Sequence, residues 1–501
     1  MPNRISGAIL AIAILMLGAL AAPAQTYLEL EEQVHEFTLD NGMRFLVVED
    51  HSVPVFSFRT VVSVGSAHET RGITGISHVL EHMAFKGTSR IGTTNIKKER
   101  QAMAAEDAAF DALKAERNKG ELADPEKLAE LEAAFEAAKD AAREFVVSNQ
   151  YGEIVEQNGG VGMNASTWTD FTQYFYSFPS NRLELWAYLE GSRMSDIVLR
   201  EYYTEKDGPV TEERRMRVDN SPMGKLFMEQ LQNLAFDANG YHHSTIGYMA
   251  DLNNMDRADA EAYYRTHYIG QNITVAVVGD VDAAVVEKFA RKYFKDVPSG
   301  TPVAMETFEP DQLGEKRMVV RQDAQPMMIM GYKIEGLNHP DWPVYQAIAD
   351  ILGQGRTSRL YTEGVKNQQK AVQMMSFAGY PGERYRTLMA IMGIPAKDVT
   401  AAELEAIALA EVQRLVDGGV TEEELAGVKQ RTRANFLRGL EGNNGLAGQL
   451  AMTQAMTGDW RNLFREVERL DAVTVEDISR VAAEIFTENN RTVLLSENLE
   501  S

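Results

Sequence analysis

Gly75-Ile76-Ser77-His78-Val79-Leu80-Glu81-His82-Met83-Ala84-Phe85-Lys86-Gly87-Thr88 is the stretch from which the chain is best read. On a helix turning about 100° per residue, His78 and His82 lie about 40° apart, one turn apart on one face. Two imidazoles so placed can share one metal ion, with Glu81 beside them. A carboxylate there can take the proton of a water that the metal has acidified, and that water then attacks a carbonyl. Each residue also has a plainer reading, Glu81 as a surface acid and the histidines as satisfied core residues. The full His-x-x-Glu-His pattern, in a chain with only 9 histidines, favours the metal.

Composition narrows the rest. The 501 residues allow two to four domains at roughly 150 residues each. With 44% hydrophobic and 25% charged residues the chain is globular in composition. Lys plus Arg is 50 and Asp plus Glu 73, a net charge of −23 that would repel a phosphate backbone, so nucleic acid is a poor partner. The absence of cysteine excludes disulfides, thiolate zinc sites, a cysteine nucleophile and a lipidated N-terminal cysteine.

Residues 1–24 read as an address. Arg4 precedes an apolar run from Ala8 to Ala21, and Ala22-Pro23-Ala24 follows. This is the pattern of a secretory signal peptide, with cleavage expected after Ala24. The apolar run is about 14 residues, short of the roughly 20 that span a bilayer. The mature chain is expected to be exported, most simply to a bacterial periplasm, with no membrane span after signal cleavage. A chain without cysteine needs no oxidative folding there.

The hydrophobic pattern runs through two similar halves. Val34–Leu39 and Met43–Val48 alternate around Asn41-Gly42 and predict a hairpin. Val55–Ser63 and Phe171–Phe178 read as strands, Asn272–Gly279 as a buried strand, and Ala283–Phe294 as a helix. Asp296–Glu315 is rich in Pro, Gly and acids and reads as a linker. The order then restarts: strands at Arg317–Arg321 and Met327–Tyr332, a helix at Trp342–Leu352, and a late strand at Arg491–Ser496. The reading is α+β, with two domains of similar architecture at 25–295 and 316–501.

Residues 97–147 stand out as an insertion dense in Ala, Glu and Lys. Leu128, Leu131, Phe135, Ala138, Ala142 and Phe145 recur at alternating spacings of three and four, a coiled-coil seam, and Met103, Phe110 and Leu113 can face it. Asp124-Pro125 is a helix start and Asn118–Ala123 the turn before it. A helical hairpin standing off the first domain is expected, either a solvated spacer or a partner-docking element.

His-x-x-Glu-His is the inverted zinc-protease motif. Its surroundings, from Gly75 to Thr88, strongly resemble the pitrilysin/insulinase (M16) metallopeptidases, which include mitochondrial processing peptidases and bacterial periplasmic zinc proteases. Asn164-Ala165-Ser166-Thr167, with Asp170 and Tyr174, resembles the family's substrate-binding strand. Gly353-Gln354-Gly355-Arg356-Thr357-Ser358-Arg359-Leu360-Tyr361 resembles its second-domain signature. The resemblance implies two homologous domains, each a mixed sheet packed with helices, closing as a clam-like shell. It implies one zinc ion per chain, bound by His78, His82 and a downstream glutamate, with Glu81 as general base. The family places another glutamate seven residues before that ligand. Glu205 and Glu212 fit the spacing, so Glu212 is expected on the metal and Glu205 outside it, orienting a ligand histidine. Glu213 is the near neighbour that competes with Glu212, and Gly208-Pro209 is unusual inside such a helix. Asn164 and Ala165 are expected to bind the peptide backbone at a sheet edge, the plainer reading of Asn164 being a local cap.

The second half lacks a second His-x-x-Glu-His. The Arg and Tyr that many single-chain relatives carry there, seven residues apart, align with Val365 and Val372; Arg356 and Arg359 fit structural roles better. The resemblance therefore implies peptide substrates and a homo- or heterodimer in which this chain bears the zinc. The alternative is a non-catalytic or partner-dependent subunit acting in binding or assembly. A third reading, a processing peptidase with one substrate, is not separated from general peptide clearance.

Overall fold

The computed structural model describes residues 30–305 and 307–499, so the address read at residues 1–24 lies outside them. Among the described residues no helix is long and apolar enough to cross a membrane.

Two mixed sheets organise the chain. In the first, the spatial order is β1 (His35–Thr38), β2 (Arg44–Glu49), β6 (Ile273–Gly279), β3 (Val55–Val62), β5 (Thr172–Pro179), β4 (Val161–Thr167). In the second it is β7 (Lys316–Gln322), β11 (Arg491–Asn498), β8 (Met327–Ile334), β10 (Thr387–Pro395), β9 (Ala371–Tyr380). Apart from the edge strand β1, which has no counterpart, the pairings of the first sheet recur in the second. β2 runs parallel to β6 as β7 does to β11. The β6–β3, β3–β5 and β5–β4 pairs are antiparallel, and so are β11–β8, β8–β10 and β10–β9. The duplication, weak at the level of residues, is plain in the topology of the five shared strands.

Local chemistry explains the strands that were foreseen. Leu39 N–H donates to Met43 O at 2.9 Å across the Asn41-Gly42 turn, where Gly42 takes a φ of 91° that suits glycine. Asn41 is also a long-range tie, its amide donating to the carbonyls of Phe294 and Val297 at 2.8 and 3.0 Å. The continuous apolar run of β6 is buried throughout, as befits a central strand covered on both faces.

Helix α1 (Ile76–Met83) follows β3. The insertion forms α2 (Ile96–Arg117) and α3 (Pro125–Arg143), with Asp124 accepting from the backbone of Glu126 and Lys127 and Pro125 opening the helix. The hairpin does not stand off, however. Phe110, Leu113 and Phe135 of its seam belong to the main core of the first half. In the second half α4 (Trp342–Gly353) follows β8, where α1 follows β3, but its residues are almost all apolar and buried.

The halves are tied together. The expected linker has no regular structure but is anchored, since Glu309 pairs with Lys333 and accepts from the backbone of Asp237, Ala238 and Asn239. Helix α5 (Gly442–Thr457) reaches back from the second half onto the first sheet. Its Leu446, Ala447, Leu450 and Ala451 pack on Leu46, Val48, Val61, Ala276 and Val278.

Candidate metal centre

Helix α1 is amphipathic in the way its chemistry requires. Ile76, Val79, Leu80 and Met83 recur on one face and lie in the core, which leaves His78 and His82 on the other. Its start is fixed from outside. Gly75 has a φ of 92°, and a Cβ there would fall 2.7 Å from the Ile246 carbonyl oxygen. The buried Glu69 carboxylate accepts from Gly75 N at 2.7 Å and Ser77 N at 2.9 Å, satisfying free donors of the first turn. His243 Nε2 meets the same carboxylate at 3.0 Å.

The His78 and His82 rings stand 4.8 Å apart at 78°. Glu213 Oε2 lies 3.5 Å from Nε2 of each. A tetrahedral zinc with bonds of roughly 2.0–2.1 Å sets its ligand atoms roughly 3.3–3.4 Å apart, so two imidazole nitrogens and one carboxylate oxygen here fit that ion with little adjustment. Among the described residues this is the one such grouping of metal-binding side chains.

The carboxylate is Glu213 and not the expected Glu212. Glu212 faces solvent, its side chain 58% exposed and paired with Arg215. The reason lies in the 202–219 helix, where Lys206–Val210 forms a π-helical turn containing Gly208 and Pro209. Such a turn accommodates one extra residue, so a separation of eight, from Glu205 to Glu213, does the work of seven. The oddity of Gly208-Pro209 in the sequence was the available signal.

Glu205 lies outside the three. Its Oε1 meets His82 Nδ1 at 3.0 Å and its Oε2 meets Lys86 Nζ at 2.6 Å. Lys86 reaches Glu201 at 3.5 Å, and Arg217 holds the other oxygen of Glu213 at 2.8 Å. Burial disfavours charge on His82, but bonds to Glu205 and Glu213 outweigh it and push its pKa up to about 9. Bonds from His78 and His82 hold Glu213 well below the ordinary carboxylate range. A metal ion entering this cluster therefore competes with a proton.

Two family profiles match the chain. The profile described as insulinase (peptidase family M16) covers residues 44–114, including His78, Glu81 and His82, and the profile described as peptidase M16 inactive domain covers residues 254–432. The chain belongs to peptidase family M16. M16 relatives run its full length. Zinc protease PqqE of Helicobacter pylori is 28% identical over 490 residues, 96% of each chain. The beta subunit of the mitochondrial-processing peptidase of Blastocladiella emersonii is 23% identical, covering 91% of this chain and 87% of that one. The crystal structure of a protease from Helicobacter pylori superposes with a TM-score of 0.76 at 25% identity, covering 93% and 99% of the two chains.

Around the centre of this M16 chain is a cavity of about 790 Å³. Glu81, Phe85, Asn164, Ala165, Thr167 and Trp168 are among the residues that line it. Glu81 Oε2 accepts from Thr167 Oγ1 at 2.7 Å, a partner that the sequence did not indicate. Asn164 and Ala165 lie on β4, an outer strand of its sheet, and pair with Phe175 and Tyr174 of β5. Asn164 Oδ1 accepts from Ala165 N at 2.9 Å, a local bond of the plainer kind weighed above.

Among the described residues, the second half of the M16 fold supplies none of those lining this cavity. Val365 packs against the second core and Val372 is exposed on β9. Arg359 is structural, making bonds of 2.8 and 3.0 Å to Glu424 and one of 2.7 Å to Gly419 O.

Proposed function

We propose that this chain is an exported zinc-dependent metalloendopeptidase that hydrolyses peptides or unfolded segments. The observation that carries the reading is the convergence of His78, His82 and Glu213 beside Glu81, in a cavity walled by an outer β-strand. Zinc held by those three would supply Lewis acidity toward a water and a scissile carbonyl. Glu81 takes the proton of the water and later returns it to the leaving amide nitrogen. Thr167 aims Glu81 by its hydrogen bond. Glu205 fixes the tautomer and orientation of His82. An extended peptide adds to β4 beside Asn164 and Ala165, held by backbone bonds that depend little on sequence. The segment at residues 1–24 supports export to a periplasm, and a fold neighbour is named a periplasmic protease, PqqL of Escherichia coli.

A second reading is a partner-dependent or non-catalytic subunit. It rests on the absence of second-half residues from the cavity and on Val365 and Val372 where many relatives carry Arg and Tyr. The beta subunits of mitochondrial-processing peptidase among the relatives bear a subunit's name.

The test follows a mixed peptide pool by mass spectrometry, using residues 25–501, with bound zinc measured and Glu81→Gln as control. Glu81→Gln is expected to keep zinc and to lose about 10²- to 10⁴-fold in turnover. Zinc without cleavage by the wild-type chain would favour the second reading. Undiminished turnover in the variant would remove Glu81 from the mechanism.

A further inference from the structure

We infer that the helical hairpin of α2 and α3 is an internal brace of the metal centre, and that Phe110, Phe135 and Tyr203 are positioning residues for the two carboxylates of the 202–219 helix. The inference rests on the metallopeptidase reading above and gives the insertion a role within it.

The 202–219 helix is poorly equipped to hold Glu205 and Glu213 by itself. It carries two π-helical turns, Lys206–Val210 and Arg215–Asp219, on either side of Glu213. Gly208 and Pro209 are the weakest helix formers, and Pro209 removes a backbone donor. A helix of such composition takes its register from packing.

The hairpin supplies that packing on the face next to the carboxylates. Tyr203, two residues before Glu205, is fully buried. Its ring lies 4.4 Å from Phe110 of α2 and 5.2 Å from Phe135 of α3. Its hydroxyl donates to Asp107 of α2 at 3.0 Å. Lys206, the residue after Glu205, is buried with its ammonium 5.5 Å from the Phe110 ring centre and 2.6 Å from the carbonyl oxygen of Leu252, to which it donates. Arg257 locks the hairpin to the same region, through Glu106 and through Asp107 at 2.9 Å.

A charged path leads from the hairpin to the metal-binding ring. Arg143, the last residue of α3, stands 3.6 Å from Glu201. Glu201 meets Lys86, Lys86 meets Glu205, and Glu205 meets His82. The apolar seam of the hairpin is thus spent on the chain itself. Its outer residues form solvated pairs such as Arg117–Glu132.

The experiment measures zinc affinity by chelator competition, and the visible spectrum after cobalt substitution, for the full mature chain, Phe135→Leu and Phe135→Ala. Ile478→Ala, a cavity in the second-half core, serves as a control for general destabilisation. The Phe135 variants are expected to bind zinc roughly tenfold or more weakly, in the range seen when outer-shell support is lost, and to broaden or shift the cobalt bands. Ile478→Ala is expected to lower the Tm and leave both unchanged. Phe135 variants with wild-type affinity and spectrum would overturn the inference, as would an equal loss in Ile478→Ala. A wild-type chain that takes up no zinc would instead sink the metallopeptidase reading, and this inference with it.

Discussion

Glu205 and Glu213 stand eight residues apart on one helix and meet the same imidazole, His82, at its two different nitrogens. In a regular α-helix eight residues turn through roughly 800° and leave two side chains about 80° apart. Here a π-helical turn between them restores a shared face. The geometry separates two adjacent glutamates sharply. Glu213→Gln is expected to lower zinc affinity by more than the roughly 10- to 100-fold typical of an outer-shell loss. Glu212→Gln is expected to leave it within about twofold, since exposed ion pairs contribute little. Zinc content after dialysis against a chelator reads both; a loss in Glu212→Gln with Glu213→Gln spared would return the assignment to Glu212.

The same turn predicts the effect of changing chain length. Gly208 lies within the π-helical turn, with open space where a Cβ would sit, and that turn holds one residue more than an α-turn. Deleting Gly208 is expected to leave Glu205 and Glu213 at the separation a regular helix needs, and to keep zinc. Inserting one alanine after Gly208 is expected to abolish it. Loss of zinc in the deletion would show that the π-turn itself, and not merely the face it restores, is required.

Thr167 donates to Glu81 from the strand that walls the cavity. Thr167→Val removes that bond at nearly constant volume. A hydrogen bond of about 1 kcal/mol corresponds to roughly fivefold in rate, so kcat is expected to fall about five- to tenfold with zinc content and KM little changed. A change confined to KM would assign Thr167 to substrate binding.

Two histidines away from the metal set an acid limit on stability. Burial, then the charges of Arg384 and His267, push His68 down to about 3. Burial pushes His267 down to about 4. Both are neutral in the folded chain but titrate near 6.5 when unfolded, so the unfolded chain binds more protons between those values. Their contribution is complete above about pH 6.5 and is lost as pH falls toward about 4 for His267 and about 3 for His68, at up to about 1.4 kcal/mol per pH unit for each. Denaturant midpoints at pH 7 and pH 5 are expected to differ less in His68→Gln than in the wild type. The same pH dependence in both would exclude His68 as a source.

What was legible in the sequence followed from short-range physics. The Asn41-Gly42 hairpin, the buried β6, the start of α3 at Asp124-Pro125 and the face of α1 each depend on a few neighbouring residues. The spacing pointed to Glu212 because it was counted on a regular helix, whereas a single extra residue brings Glu213 beside the two histidines. Docking of the hairpin was missed because a seam at spacings of three and four does not say which surface completes it; here Tyr203, distant in sequence, does. The pairing of Glu81 with Thr167 depends on where β4 lies relative to α1, which no local pattern encodes.

The five strands that recur in the two sheets suggest a pair of equals, yet α5 makes them unequal. The first sheet has one side that its own half leaves bare, and the later half lends the cover. Cut at 296–315, the earlier segment would carry His78 and His82 but present Leu46, Val48, Val61, Ala276 and Val278 to water, an invitation to aggregate. A copy without a metal motif can therefore be indispensable to the copy that has one.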